Sequence, residues 1–140
     1  MTTLFCYSVG AVIKNPKGEY LMLYRLVKPH GLAMPAGHID PGEEPGVAVR
    51  REVLEETGIR IINIVRRWEQ IVPVECSRGA TVHFWYVFDV KSYQGEPELR
   101  EPHKHKFLRF MSLEEIRQYA DRKDFDPSWS NFIFKDLSIL

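Results

Sequence analysis

The sequence lacks the features that would place it in a membrane or an oxidising compartment. No stretch approaches the roughly 20 consecutive apolar residues that a membrane-spanning helix needs. The first ten residues, MTTLFCYSVG, contain no basic region followed by a long apolar run, so we expect no signal peptide. The only cysteines are Cys6 and Cys76, which fit buried, reduced thiols better than a disulfide scaffold. These absences favour a cytoplasmic protein.

Neither sign of charge is in excess. The 19 Lys and Arg residues balance the 19 Asp and Glu residues. A neutral chain carries no global electrostatic signal for a polyanion, so we expect no duplex nucleic acid partner. Internal repeats, low-complexity tracts and linkers are also missing, and 140 residues suffice for one proper core. We therefore predict a single domain over residues 1–140.

What the sequence does contain is one segment dense in carboxylates, GHIDPGEEPGVAVRREVLEETGI at Gly37–Ile59. Its pattern predicts a helix over Pro45–Thr57, because proline suits the first helical position and Gly58 suits a left-handed C-terminal cap. Residues at i, i+3 and i+4 of a helix share a face. Three carboxylates share such a face here: Glu52, Glu55 and Glu56.

The carboxylate face predicts a divalent metal site. Like charges at i and i+4, as in Glu52 and Glu56, destabilise a helix by about 0.2–0.5 kcal/mol, and a cation would reverse that sign. Oxygen-only ligands favour Mg²⁺, with Mn²⁺ as the alternative, over Zn²⁺. We expect Ala48, on the same arc, to leave room for ions and phosphates. Arg51, at the edge, is expected to steady a carboxylate or to reach a phosphate.

A solvated acidic face is the common alternative for a Glu-rich helix, but the full spacing of the segment argues against it. Gly-x5-Glu-x7-Arg-Glu-U-x-Glu-Glu-x-Gly-U, with U apolar, is the box of the Nudix hydrolases, and the chain resembles that family at every defined position. The preceding run Met34–Gly37 is similar to the family's Pro-Gly-Gly, with Ala36 replacing the first glycine. The resemblance implies an α/β/α sandwich with a mixed β-sheet. It also implies Mg²⁺- or Mn²⁺-dependent hydrolysis of a nucleoside diphosphate linked to another moiety.

The resemblance further implies roles for individual residues. Glu52, Glu55 and Glu56 would be metal ligands, with the Gly37 carbonyl as a further ligand. Glu43 and Arg51 would orient the loop and the helix, and Gly58 would complete the box. A carboxylate would activate the attacking water, with Glu55 favoured, although the family varies in which acid is the base.

A later segment bears on the substrate. Glu98–Lys104 looks like the Glu-Pro-x-Lys loop of Nudix enzymes that act on nucleoside triphosphates, which implies that Glu101 completes the metal site or serves as base. We therefore favour hydrolysis of a nucleoside triphosphate to the monophosphate and pyrophosphate. ADP-ribose or a nucleoside diphosphate sugar is the alternative, which Pro73 supports weakly. A non-catalytic nucleotide-sensing module is a further alternative, disfavoured because no box carboxylate is missing.

Family members often dimerise, so a homodimer is an alternative to a monomer.

Substrate contacts are harder to predict from the sequence. Arg25 and His30 lie upstream of the box and are predicted to contact a terminal phosphate or the leaving group, although exposed loop residues are commoner than ligands. Trp85 lies on the mixed face of a strand predicted over Thr81–Val90, and it is the best candidate for stacking on a base.

The other face of that strand is wholly apolar and is predicted to be core: Val82, Phe84, Tyr86, Phe88 and Val90. His103 and His105 suggest a metal pair, but we expect both to be solvated.

Overall fold

A mixed sheet carries the helix of the carboxylate segment on one face. The computed structural model describes residues 5–75 and 78–140, so Cys76 lies outside the described residues. Within those ranges, every helix is too short or too polar to span a bilayer. The elements in chain order are β1 (Phe5–Val12), β2 (Tyr20–Arg25), β3 (Gly31–Ala33), β4 (Ala36–His38), α1 (Pro45–Thr57), β5 (Arg60–Val72), β6 (Val82–Gln94), β7 (His105–Met111), α2 (Leu113–Asp121), a π-helical turn (Trp129–Ile133) and α3 (Phe134–Asp136).

The described strands form two sheets. The first has the order β4-β1-β6-β5 and is mixed, because β1 runs parallel to β6 but antiparallel to β4. The second, β3-β2-β7, is antiparallel. The predicted mixed sheet between helices is thus confirmed, whereas the second sheet was not foreseen. The sequence predicts a loop over Val27–Ala33, but Gly31–Ala33 of that segment form strand β3.

Helix α1 has the predicted bounds, and its ends show why. Pro45 occupies the start of the helix, and Gly58 adopts a left-handed φ of 77° while its N–H donates to the Leu54 carbonyl. The spacing Ser112-Leu113-Glu114-Glu115 predicts a capping box, and helix α2 begins with one: Ser112 and Glu115 each accept a bond from the other's backbone N–H. The ends of α1 and the start of α2 are therefore set by residues within or next to each helix, which is why the sequence predicts them.

Two apolar clusters hold the layers together. Helix α1 contributes Ala48, Val49 and Val53 to a cluster with residues of β1 and β6. On the opposite face, Trp129 and Phe134 of the C-terminal segment pack in a cluster with Trp85. The C-terminal segment therefore covers the face of the mixed sheet that α1 leaves open.

Two predictions about burial are wrong, the first only in part. On the apolar β6 face Phe88 is buried in the α1 cluster, and Tyr86 and Val90 are half-buried against it, whereas Val82 and Phe84 are half-buried outside it. The mixed face is the better covered one, because the C-terminal segment packs on it. Ala48 is fully buried in the α1 cluster, so it supports the core and provides no clearance for phosphates.

Candidate metal and nucleotide site

A cavity of about 330 Å³ gathers most of the predicted site residues between α1, β4 and the start of β7. The predicted residues that line it are Arg25, Gly37, Arg51, Glu52, Glu55, Glu56, Trp85 and Glu101. His30 is exposed in the loop before β3 and does not line this cavity. Glu43 lies behind it, bonded to Arg51.

Gly37 is the point where β4 meets the carboxylate helix. A Cβ at this position would lie closer than 3.0 Å to the carboxyl group of Glu52, so no larger residue fits without displacing that group. The strand backbone and the carboxylate are therefore neighbours, as the predicted pairing of the Gly37 carbonyl and Glu52 as ligands requires.

Arg51 binds the acidic residues around it. Its Nε and Nη2 each donate to a different Glu43 oxygen at 2.8 Å, and its Nη1 donates to Glu52 at 2.9 Å and to Glu55 at 3.3 Å. Nη2 also donates to the His38 carbonyl at 3.0 Å. The guanidinium and the Asp40 N–H lower the pKa of Glu43 to about 2. Of the two alternatives for Arg51, the structure thus favours steadying carboxylates over contacting phosphate.

Glu56 is the most deeply buried of the three helix carboxylates. Its Oε1 accepts the Ala36 N–H at 2.9 Å, and its Oε2 lies 3.5 Å from Nε2 of His105. Burial, and secondarily the charge of Glu52, raises the pKa of Glu56 well above its ordinary value. Burial also raises the pKa of Glu52, whereas the side chain of Glu55 is 52% exposed. Buried carboxylates held close together fit a divalent cation, which would remove the cost of their charge.

Glu101 reaches the same cavity from the loop before β7. Carboxylate oxygens of Glu56 and Glu101 and a nitrogen of His105 lie within 4.8 Å of one another. The prediction that His105 is solvated is wrong: its side chain is 2% exposed, because it opens β7 opposite Arg25. Burial, followed by the charge of Arg25, lowers the pKa of His105 to about 4. His103 is exposed as predicted.

The cavity is also lined by Asp126, a residue that the sequence did not single out. Asp126 is buried, accepts the Ser128 N–H at 2.9 Å and lies 3.9 Å from Nε of Arg25. Burial raises the pKa of Asp126 to about 6. Trp85 lines the cavity too, but its ring packs edge-on against Trp129 at 5.5 Å between centroids, and the residue is only 5% exposed. Asp126 belongs to no spaced motif and stands in a C-terminal tail that mixes aromatic, apolar and polar residues, so the sequence gives no signal for it.

A carboxylate-bearing helix on a mixed sheet, facing a cavity with basic side chains, defines a hydrolase of the class that the box predicts. The family model for the NUDIX domain matches residues 4–131, so the chain belongs to the Nudix hydrolase family. This confirms the predicted family, fold and enzymatic nature.

Named relatives agree with this assignment. The chain is 35% identical over 115 residues to the asymmetrical bis(5'-nucleosyl)-tetraphosphatase of Mus musculus, covering 79% of this chain and 75% of that protein. It resembles the MutT NUDIX hydrolase structure from Burkholderia pseudomallei, with a TM-score of 0.70 and 26% identity over 79% of this chain and 85% of that one. A NUDIX hydrolase structure from Nitrosomonas europaea gives a TM-score of 0.72 and 26% identity over 96% and 89% of the two chains.

Proposed function

We propose that this Nudix hydrolase is a pyrophosphohydrolase of nucleoside triphosphates that uses Mg²⁺, with Mn²⁺ as a substitute. The products are a nucleoside monophosphate and pyrophosphate. The observation that carries the proposal is the contact of Gly37 with Glu52, beside the buried Glu56, in a cavity that also presents basic side chains. A phosphate chain needs those positive charges, and the carboxylates need a cation.

The residues divide the chemistry between them. Glu52, Glu55, Glu56 and the Gly37 carbonyl would hold the ion. A bound divalent ion neutralises charge on the diphosphate and lowers the pKa of a water. Arg51 holds Glu52 and Glu55 in place through its bonds to both.

In the hydrolytic step the water oxygen bonds to phosphorus and the anhydride P–O bond breaks, with the electron pair leaving on pyrophosphate. A carboxylate takes the proton of the water. We assign this role to Glu55, because it is the exposed member of the helix trio, and Glu101 is the alternative base. Either base needs to be ionised at the working pH.

Basic side chains mark where the phosphates would lie. Arg25, Arg78 and Lys104 line the cavity together with the carboxylates. Asp126 and Trp85, which line the same cavity, would face the nucleoside. His30 lies outside the cavity, so we keep it only as a contact to a substrate group that extends into solvent.

A second candidate substrate is a dinucleoside tetraphosphate. The observation that favours it is the 35% identity to the mouse tetraphosphatase along most of both chains. ADP-ribose and nucleoside diphosphate sugars remain the third choice, since their support is a single proline at the end of β5.

The test is product release with Mg²⁺ from a panel of nucleoside triphosphates, a dinucleoside tetraphosphate, ADP-ribose and a nucleotide sugar. The proposal predicts monophosphate and pyrophosphate from a triphosphate at the highest kcat/KM. A tetraphosphate or ADP-ribose that greatly exceeds every triphosphate would refute the leading substrate. Nucleotide binding without turnover of any member would refute the enzymatic proposal and support the sensing module.

Location and assembly are separate parts of the proposal. We expect the protein in the cytoplasm, which cell fractionation tests directly. A homodimer would sediment in analytical ultracentrifugation with twice the chain mass of 16.4 kDa, and a monomer with that mass itself.

A further inference from the structure

Three metal-ligating side chains come together on the mixed sheet, apart from the carboxylate helix. Cys6 in β1 is the register partner of His83 in β6, and His38 in β4 pairs with Ser8, two residues along β1. Residues two apart on a strand point to the same face. Cys6, His38 and His83 therefore project together from three adjacent strands, and a site built on strands is held more precisely than one built on loops.

The donor atoms are close enough to share one ion. The sulfur of Cys6 and one nitrogen from each histidine all lie within 4.8 Å of one another. Nδ1 of His83 lies 2.7 Å from the Val74 carbonyl, and since a carbonyl can only accept, this nitrogen carries the proton. That bond leaves the lone pair of Nε2 available, and a backbone carbonyl commonly orients a metal-binding histidine in this way.

His38 supplies a second, independent indication. Its Nε2 is buried and has no hydrogen-bond partner among residues 5–75 and 78–140. The ring stacks on that of His83, with 6.0 Å between centroids. A buried polar atom without a partner costs free energy, and a bound ion would remove that cost.

The geometry points to a second metal site, in which Cys6, His38 and His83 bind a zinc-class ion. A thiolate and two imidazoles select Zn²⁺ or Co²⁺ over Mg²⁺, which prefers oxygen. The sulfur and nitrogen donors of this second site thus select a different ion from the oxygen donors of the α1 carboxylates. His38 and His83 line the cavity, so a water or a nucleotide oxygen can provide a fourth ligand from that side. Arg25 and Arg78 line it too, and the negative thiolate offsets their repulsion of a cation.

Cobalt provides a direct readout, because a thiolate bound to Co²⁺ gives a sulfur-to-metal charge-transfer band in the near ultraviolet that carboxylates do not give. The reduced full-length protein is titrated with Co²⁺ in excess Mg²⁺, which occupies the carboxylate site. We expect the charge-transfer band together with the visible bands of a tetrahedral ion, and displacement of both by Zn²⁺. Absence of a charge-transfer band at saturating Co²⁺ would overturn the proposal.

Matched variants assign the ligands. Cys6→Ser should abolish the band, and His83→Gln should weaken Co²⁺ binding by more than about 100-fold, since even indirect partners of a ligand cost 10–100-fold. Cys76→Ser, at the only other cysteine, should retain the band. Loss in Cys76→Ser with retention in Cys6→Ser would refute the assignment, as would unchanged affinity in a His83→Gln protein whose circular dichroism is native. The titration contains no nucleotide, so its outcome is independent of the proposed hydrolysis.

Discussion

Gly37 in β4 lies directly against the carboxyl group of Glu52 in α1, with no space for a Cβ between them. This contact joins the edge of the mixed sheet to the helix that carries the acidic residues. It also explains in physical terms why the box begins with glycine. The position of Glu52 is therefore set by the backbone of a neighbouring strand as well as by its own helix.

Gly37→Ala should displace Glu52 and impair catalysis. The added methyl group must push the carboxylate away, because the β4 backbone is held by its pairing with β1. We expect weaker binding of Mn²⁺ by electron paramagnetic resonance, together with a fall in kcat/KM. Gly46→Ala is the matched control, since its Cβ would make only an ordinary 3.5 Å contact with Ile64. Equal activity in the two variants would contradict this account.

Arg51→Lys should lower activity although the positive charge is kept. A lysine cannot bond Glu43 with two nitrogens while also reaching Glu52, because it lacks the planar fork of arginine. Steady-state kinetics should show a loss in kcat. Arg50→Lys removes a neighbouring exposed guanidinium that bonds the Ile61 and Ile62 carbonyls and, among the described residues, no carboxylate of the site, and it should behave like the unmodified enzyme. A lysine variant at 51 with full activity would show that the fork is dispensable.

Glu43→Gln should change how stability depends on pH. The pKa of Glu43 falls from an ordinary 4.5 to about 2 in the folded protein, so its stabilising effect is present above about pH 4.5 and is lost as the pH falls towards 2. Denaturant unfolding should therefore separate the variant from the unmodified protein at pH 7 and bring them together near pH 2. Glu44→Gln, at an exposed neighbour, serves as the control. A constant difference from pH 2 to 7 would be inconsistent with the Arg51 pairing.

Asp126→Asn should also change how stability depends on pH, but in the direction opposite to that of Glu43→Gln. The pKa of Asp126 rises from 3.8 to about 6 on folding, so the folded state binds its proton more tightly and is favoured below about pH 4. That advantage is lost as the pH rises through 6, and it amounts to roughly 2–3 kcal/mol. The free energy of unfolding of the unmodified protein, relative to the variant, should fall between pH 4 and 7. Asp121→Asn, exposed on α2, is the control, and parallel curves for Asp126→Asn would contradict the prediction.

The sequence predicted what depends on local chemistry. Pro45 and Gly58 set the bounds of α1, and the spacing of Glu52, Glu55 and Glu56 indicated their shared face. The sequence could not predict which surfaces are buried by segments that lie far away along the chain. Trp129 lies 44 positions after Trp85, yet it decides which face of β6 is buried.

The same limit applies to the cavity. His105 is buried because β7 pairs with β2, and Asp126 reaches Arg25 across the fold. Neither residue belongs to a spaced motif. The prediction that Ala48 leaves room for phosphates was wrong for a related reason. Ala48 does share the helical arc of the carboxylates, but at that turn the arc faces the core.

The central claim is that the buried carboxylates of α1 hold the ion that hydrolysis needs. The most direct measurement is kcat/KM for the best substrate of the panel, across a Mg²⁺ titration, in Glu52→Gln, Glu56→Gln and the control Glu44→Gln. The account predicts a loss of at least about 100-fold in the first two, since a direct ligand should cost more than an indirect one, and no change in the control. Activity within a few-fold of the unmodified enzyme in both Glu52→Gln and Glu56→Gln would contradict it.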